Sequence, residues 1–146
     1  MSTKCPVCGA ILPDGTICRE LFDLSQIKEI EQPDYYAVHH LSVLCYMLQH
    51  NIYSRSGWLG GRNLLFQFVS GVLTPAAARR KNRKKLDSRK RSWSLTKGEK
   101  LPGVESVIWT LTIADIRLDT AEHYCADVRR WAECVLADTE QFVDPR

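Results

Sequence analysis

Apolar positions recur at helical spacing along most of the chain. Leu21, Leu24, Ile27 (or Lys28) and Ile30 fall three or four residues apart, which predicts a helix over residues 18–31. Pro33 closes that helix and suits the first turn of the next. Val38, Leu41, Leu44, Cys45 and Leu48 then form an apolar stripe on a second helix over 34–50, and the two helices together predict an antiparallel hairpin. A third helix is expected over 58–71, its start diluted by Gly57, Gly60 and Gly61. Thr74-Pro75 supplies a cap and a first-turn proline, so a fourth helix should run over 76–90. Residues 91–111, with Gly98, Pro102 and Gly103, read as a loop with a short extended piece. Thr112 to Asp115 and Asp119 to Glu122 resemble capping boxes, predicting a short helix over 113–117 and a long last one over 120–137. Residues 1–17 break the pattern: Pro6, Gly9, Pro13 and Asp14-Gly15 are turn formers, and this segment reads as a loop-rich knuckle.

The expected fold is therefore all-α. It is a compact single helical domain over 1–146, with about five to six helices and an N-terminal zinc knuckle over 1–17. At 146 residues and 45% hydrophobic content the chain can bury a core without a metal, so an ion would organise the fold rather than rescue it. Met1 to Cys8 lacks the apolar segment of a secretion signal, and no apolar run approaches the roughly 20 residues needed to span a bilayer. A soluble cytoplasmic protein without a membrane partner is the expectation. In that compartment the six cysteines read as thiols or metal ligands rather than disulfides.

Cys5 and Cys8 are the strongest chemical signal. A Cys-x2-Cys turn aims two sulfurs at one ion while backbone N–H groups steady them, and zinc takes tetrahedral thiolate and imidazole ligands. Gly9 suits the tight backbone that follows. Cys18 is the third sulfur, returned by the Pro13-Asp14-Gly15 turn. The hairpin supplies the fourth ligand: at about 1.5 Å per residue, the level of Cys18 is met again near residues 47–50, which selects His50. His39 lies about 16 Å from His50 along the helix axis, so one ion cannot take both, and His39 is the substitute if the hairpin is offset. A thioredoxin-type role fits less well, because such a motif opens a helix after a strand. Cys45 reads as a core thiol, and Cys125 and Cys134 fall on opposite faces of one helix.

Charge adds a second candidate. Residues 79–91 carry Arg79, Arg80, Lys81, Arg83, Lys84, Lys85, Arg89, Lys90 and Arg91 against one acid, a local +8 that leaves −5 on the rest of a +3 chain. This basic helix, spanning 75–91, can neutralise several phosphates with salt-sensitive, sequence-independent affinity, and Trp58 and Trp93 could stack on bases. Arg80, Lys84 and Arg91 could equally meet an acidic protein surface, such as the −5 remainder of a neighbouring copy, or the cations could be a solvated face.

Tyr36-Ala37-Val38-His39-His40-Leu41-Ser42-Val43, continuing to Tyr46 and Gln49-His50 after the Cys-Pro-x-Cys-Gly start, resembles a family of small bacterial proteins known only as a domain of unknown function. Leu111-Thr112-Ile113-Ala114-Asp115, Ala121-Glu122-His123 and Val128-Arg129-Arg130-Trp131-Ala132-Glu133 resemble its C-terminal pattern. The resemblance implies a compact helical protein in which Cys5, Cys8, Cys18, His39 and His50 match recurring positions. It implies no activity. The family often carries a further histidine in the third helix, where this chain has Gly60-Gly61-Arg62-Asn63.

Three function classes follow. The first is a zinc-stabilised binding module for nucleic acid or protein. The second is a metal-dependent enzyme, which needs an open coordination position and a base such as His39, His123, Asp115 or Glu122. Three sulfurs and an imidazole would close the site instead. The zinc-deaminase signature is absent, Lys4 rather than Pro preceding Cys5, and there is no nucleophile elbow, P-loop or dinucleotide fingerprint. The third class is a subunit or adaptor completed by a partner along Leu64 to Val69, which suits a core equally well. His39 and His123 could face each other across helices and hold a metal or substrate, or be hydrogen-bonded core imidazoles. Trp109 and Trp131 read as core.

Overall fold

The computed structural model describes residues 2–83 and 97–143, with side chains placed to Arg80 in the first stretch. Its helices are α1 Cys18–Glu31, α2 Pro33–Tyr36, α3 His39–Gln49, α4 Arg55–Ser70, α5 Pro75–Arg83 and α6 Ala121–Asp138. Single 3-10 turns lie at Val104–Ser106, Ile113–Asp115 and Glu140–Phe142. The knuckle is more regular than its turn-rich sequence suggests. Strands β1 Ser2–Lys4 and β2 Ile11–Pro13 pair antiparallel, with Thr3 opposite Leu12, and carry the cysteine turn at their tip.

Where cap residues are specific the helix ends follow the sequence. Ser54 accepts a hydrogen bond from Gly57 N and starts α4 three residues before the expected position, while Gly71, at φ 80°, ends it in the left-handed conformation glycine permits. Thr74 Oγ1 accepts from Ala77 N at the head of α5. Thr112 and Asp115 form a complete capping box. The second expected box is shifted by one residue: Thr120, not Asp119, caps α6 by accepting from His123 N.

Other expectations fail. Residues 34–50 do not form one helix: Ala37 and Val38 break it, Val38 has ψ 15°, and its carbonyl oxygen accepts from both Leu41 and Ser42 as α3 restarts. The apolar stripe of α1 also faces outward beyond Leu21, which packs against the core. Leu24, Ile27 and Ile30 are 52%, 48% and 80% exposed, whereas the buried face is Cys18, Phe22, Ser25 and Glu29. Glu29 can occupy that face because α3 and α6 supply its partners, and Ser25 because it donates to the Phe22 carbonyl oxygen of its own helix. Among the described residues of the 91–111 segment there is no strand.

The rungs between α1 and α3 define an antiparallel register. Glu29 bonds His39, Gln26 reaches Ser42 at 3.4 Å, Phe22 stacks on Tyr46 with ring centroids 4.0 Å apart, and Cys18 meets His50 in one cluster. Each rung descends three or four residues on α1 and climbs as many on α3, as two antiparallel helices require. Helices α3, α4 and α6 pack together behind this pair around Leu48, Trp58, Leu65, Val128, Trp131 and Val135, all fully buried. Trp58 Nε1 donates to the Leu48 carbonyl oxygen at 3.0 Å, so it is a core anchor and cannot stack on a base as expected; Trp93 lies outside the described residues. Cys45 is fully buried, and Trp109 and Trp131 are core residues. No helix among the described residues is long and apolar enough to cross a membrane.

Candidate metal centre

The β1–β2 hairpin ends in a turn in which Cys5 N donates to Ala10 O and Gly9 N to Cys5 O, both at 2.9 Å. Gly9 adopts φ 78°, a left-handed conformation a side chain would strain, and this folds Cys8 back beside Cys5. The Gly15 turn then delivers Cys18 as the first residue of α1, and His50 terminates α3. Sγ of Cys5, Cys8 and Cys18 and a ring nitrogen of His50 all lie within 4.8 Å of one another. Cys8 and Cys18 sulfurs are 3.4 Å apart and all three cysteines are free thiols. His39 is not part of the cluster.

His50 is oriented for ligation. Its Nδ1 donates to the Tyr46 carbonyl oxygen at 2.8 Å, and its ring stacks on the Tyr46 ring with centroids 4.0 Å apart. Nε2 is buried without a hydrogen-bond partner. A buried, unpaired ring nitrogen is costly in a metal-free protein and is what an imidazole ligand presents to an ion. The donor set, three sulfurs and one nitrogen, suits a tetrahedral ion.

The electrostatics agree. Burial pushes the Cys8 and Cys18 thiols up; Cys5 raises both further and Cys8 raises Cys18, while hydrogen bonds from Ala10 N–H and Cys18 act the other way on Cys8. Burial also opposes ionisation of Cys5, but hydrogen bonds from the Cys8 and Val7 backbone outweigh it and leave that thiol lowered. Burial lowers His50, keeping it in the neutral form a metal requires, and raises the Tyr46 phenol to about 12. Without a cation at the centre, three adjacent thiolates cannot coexist cheaply; a divalent ion removes that penalty.

The other candidate residues are dispersed. Arg79 and Arg80 are exposed on α5. Lys81 and Arg83 continue its backbone, their side chains outside the described set, and Lys84, Lys85, Arg89, Lys90 and Arg91 lie outside the described residues altogether. His123 bonds Asp119 at 3.0 Å, His39 bonds Glu29 at 2.6 Å, and Asp115 is occupied by its capping box. Two structural residues had no sequence signal beyond their charge. Arg62 is buried and donates to Thr139 Oγ1 and the Leu136 carbonyl oxygen, each at 2.7 Å. Glu29 is fully buried in the α1–α3 interface.

A helical domain whose N-terminal hairpin and first two long helices converge on a Cys3His cluster defines a class: a small helical protein with a knuckle able to hold a metal ion. The chain belongs to DUF5946, a family of unknown function whose pattern matches residues 3–140. No curated protein and no solved structure matches it.

Proposed function

We propose that this protein is a zinc-stabilised helical binding module, with zinc held by Cys5, Cys8, Cys18 and His50 in a closed, structural site. The observation that carries this is the convergence of four donor atoms within 4.8 Å, one of them the buried, unpaired Nε2 of His50. Four protein ligands leave zinc no open position for substrate, which argues for a metal that builds a surface rather than one that performs a reaction. The ion would join the β1–β2 hairpin to the start of α1 and the end of α3.

Nucleic acid is the partner class that the +8 of residues 79–91 favours, through contacts to phosphates. A protein partner is the second reading, favoured by the outward apolar side chains of α1, where Leu24, Ile27 and Ile30 stand exposed beside Ile17. The two are separated by retention on immobilised DNA or RNA at low salt. The nucleic-acid reading expects retention that falls steeply with salt and disappears when the basic residues of 79–91 are neutralised. No retention at low salt removes it.

A further inference from the structure

Glu29 anchors a polar network remote in composition from the cysteine cluster. Its side chain is 0% exposed and accepts hydrogen bonds from His39 Nδ1 at 2.6 Å, Ser42 Oγ at 2.7 Å and the Tyr124 hydroxyl. Donors from α3 and α6 thus converge on one carboxylate of α1. A buried carboxylate is costly unless such donors surround it.

The network fixes His39. Its Nδ1 is committed to Glu29 and its ring stacks on Tyr36 with centroids 4.7 Å apart. The side chain is nevertheless 39% exposed, and Nε2 has no hydrogen-bond partner among the described residues. His39 lines a cavity of about 400 Å³ together with Tyr36, His40, Phe68, Ala78 and Arg79. The His40 ring meets the Phe68 ring edge-on at 4.8 Å. Burial lowers His40, with His39, Arg129 and Arg79 acting in the same direction and Glu29 against it, and Arg79 is the guanidinium that lines the cavity.

We propose that this cavity is a second site, which binds a small aromatic oxyanion with its charge on Arg79 and its anionic group within reach of His39 Nε2. The guanidinium of Arg79 is a fork suited to a carboxylate or phosphate, and the Tyr36 and Phe68 rings suit a flat ring. The hydrogen bond to Glu29 commits Nδ1 and leaves Nε2 as the ring nitrogen that can meet a ligand. No residue of the cysteine cluster lines the cavity, so zinc-loaded protein is the form to test.

The test is a titration of the zinc-loaded full chain, with ¹⁵N-labelled histidine, against phenyl phosphate and separately against benzoate, with sodium chloride as the ionic-strength control. The expected result is a saturable shift of the His39 Nε2 resonance with one or both aromatic anions; which anion saturates identifies the oxyanion. Arg79→Gln should weaken binding at least about tenfold, and calorimetry should find no binding to His39→Gln. Glu29→Gln should redistribute the His39 proton between its two nitrogens, a signature that a merely structural contact to the cavity wall would not produce. Should Glu29→Gln fail to fold, the Arg79 and His39 variants still decide, their integrity checked by circular dichroism and zinc content. Shifts that track ionic strength without saturating, or equal binding in all variants, would overturn the proposal.

Discussion

His50 Nδ1 donates to the carbonyl oxygen of Tyr46, one helical turn earlier, at 2.8 Å, and this bond decides which ring nitrogen meets the cysteines. With Nδ1 satisfied, the buried Nε2 is the nitrogen left without a partner. In the proposed zinc site the choice of nitrogen follows from a main-chain acceptor that no side-chain substitution removes. His50→Ala should therefore lower zinc affinity at least about 100-fold, as loss of a ligand should exceed loss of its supporting shell. His39→Ala should keep one zinc per chain. Metal analysis after dialysis against a weak chelator checks both.

Zinc affinity should rise with pH. Burial and crowding hold Cys8 and Cys18 protonated in the metal-free protein, while His50 is lowered and Cys5 is the most easily ionised thiol. Binding must then expel at least about two protons, so affinity should fall about 100-fold for each pH unit lost between pH 8 and 7. Competition with a chromophoric chelator at several pH values measures the slope. A flat profile would mean that the thiols are not the ligands.

Metal removal should release the knuckle and spare the helices. Trp58, Leu65 and Trp131 stand on α4 and α6, which contribute no residue to the cysteine cluster, although Cys8 and Cys18 pack at the edge of the same apolar core. Chelation should leave most of the far-ultraviolet helical signal while raising protease cleavage and amide exchange within residues 2–17.

Glu29→Ala should destabilise the fold by about 3–5 kcal/mol, because His39, Ser42 and Tyr124 all lose their acceptor. Tyr124→Phe removes one donor and should cost about 1–2 kcal/mol. By contrast Ile30→Lys, at an 80% exposed position, should change stability by less than about 0.5 kcal/mol. Urea denaturation of the zinc-loaded variants orders the three.

Much of the helix plan was legible because it rests on local rules. Pro33, Thr74-Pro75 and the Thr112–Asp115 box act through the backbone of their own turn, and their elements begin where those rules place them. The level of His50 against Cys18 followed from helix rise alone, and the break at Val38 left that register intact because α2 and α3 still return along α1. What stayed hidden depends on neighbours distant in sequence. Periodicity identifies an apolar stripe on α1 but cannot tell whether anything covers it, and Leu24, Ile27 and Ile30 proved to face outward. Glu29 looks like any surface acid until His39, Ser42 and Tyr124, the last 95 residues away, are brought around it. Arg62 is hidden for the same reason, its acceptors lying at the far end of α6.

Zinc K-edge X-ray absorption of the purified, zinc-loaded chain tests the closed structural site most directly. A closed Cys3His site predicts three sulfur neighbours near ~2.3 Å and one nitrogen near ~2.0 Å, with no oxygen shell. A spectrum with a water or carboxylate oxygen in place of a sulfur or the imidazole would contradict it, because the metal would then keep a position open for chemistry.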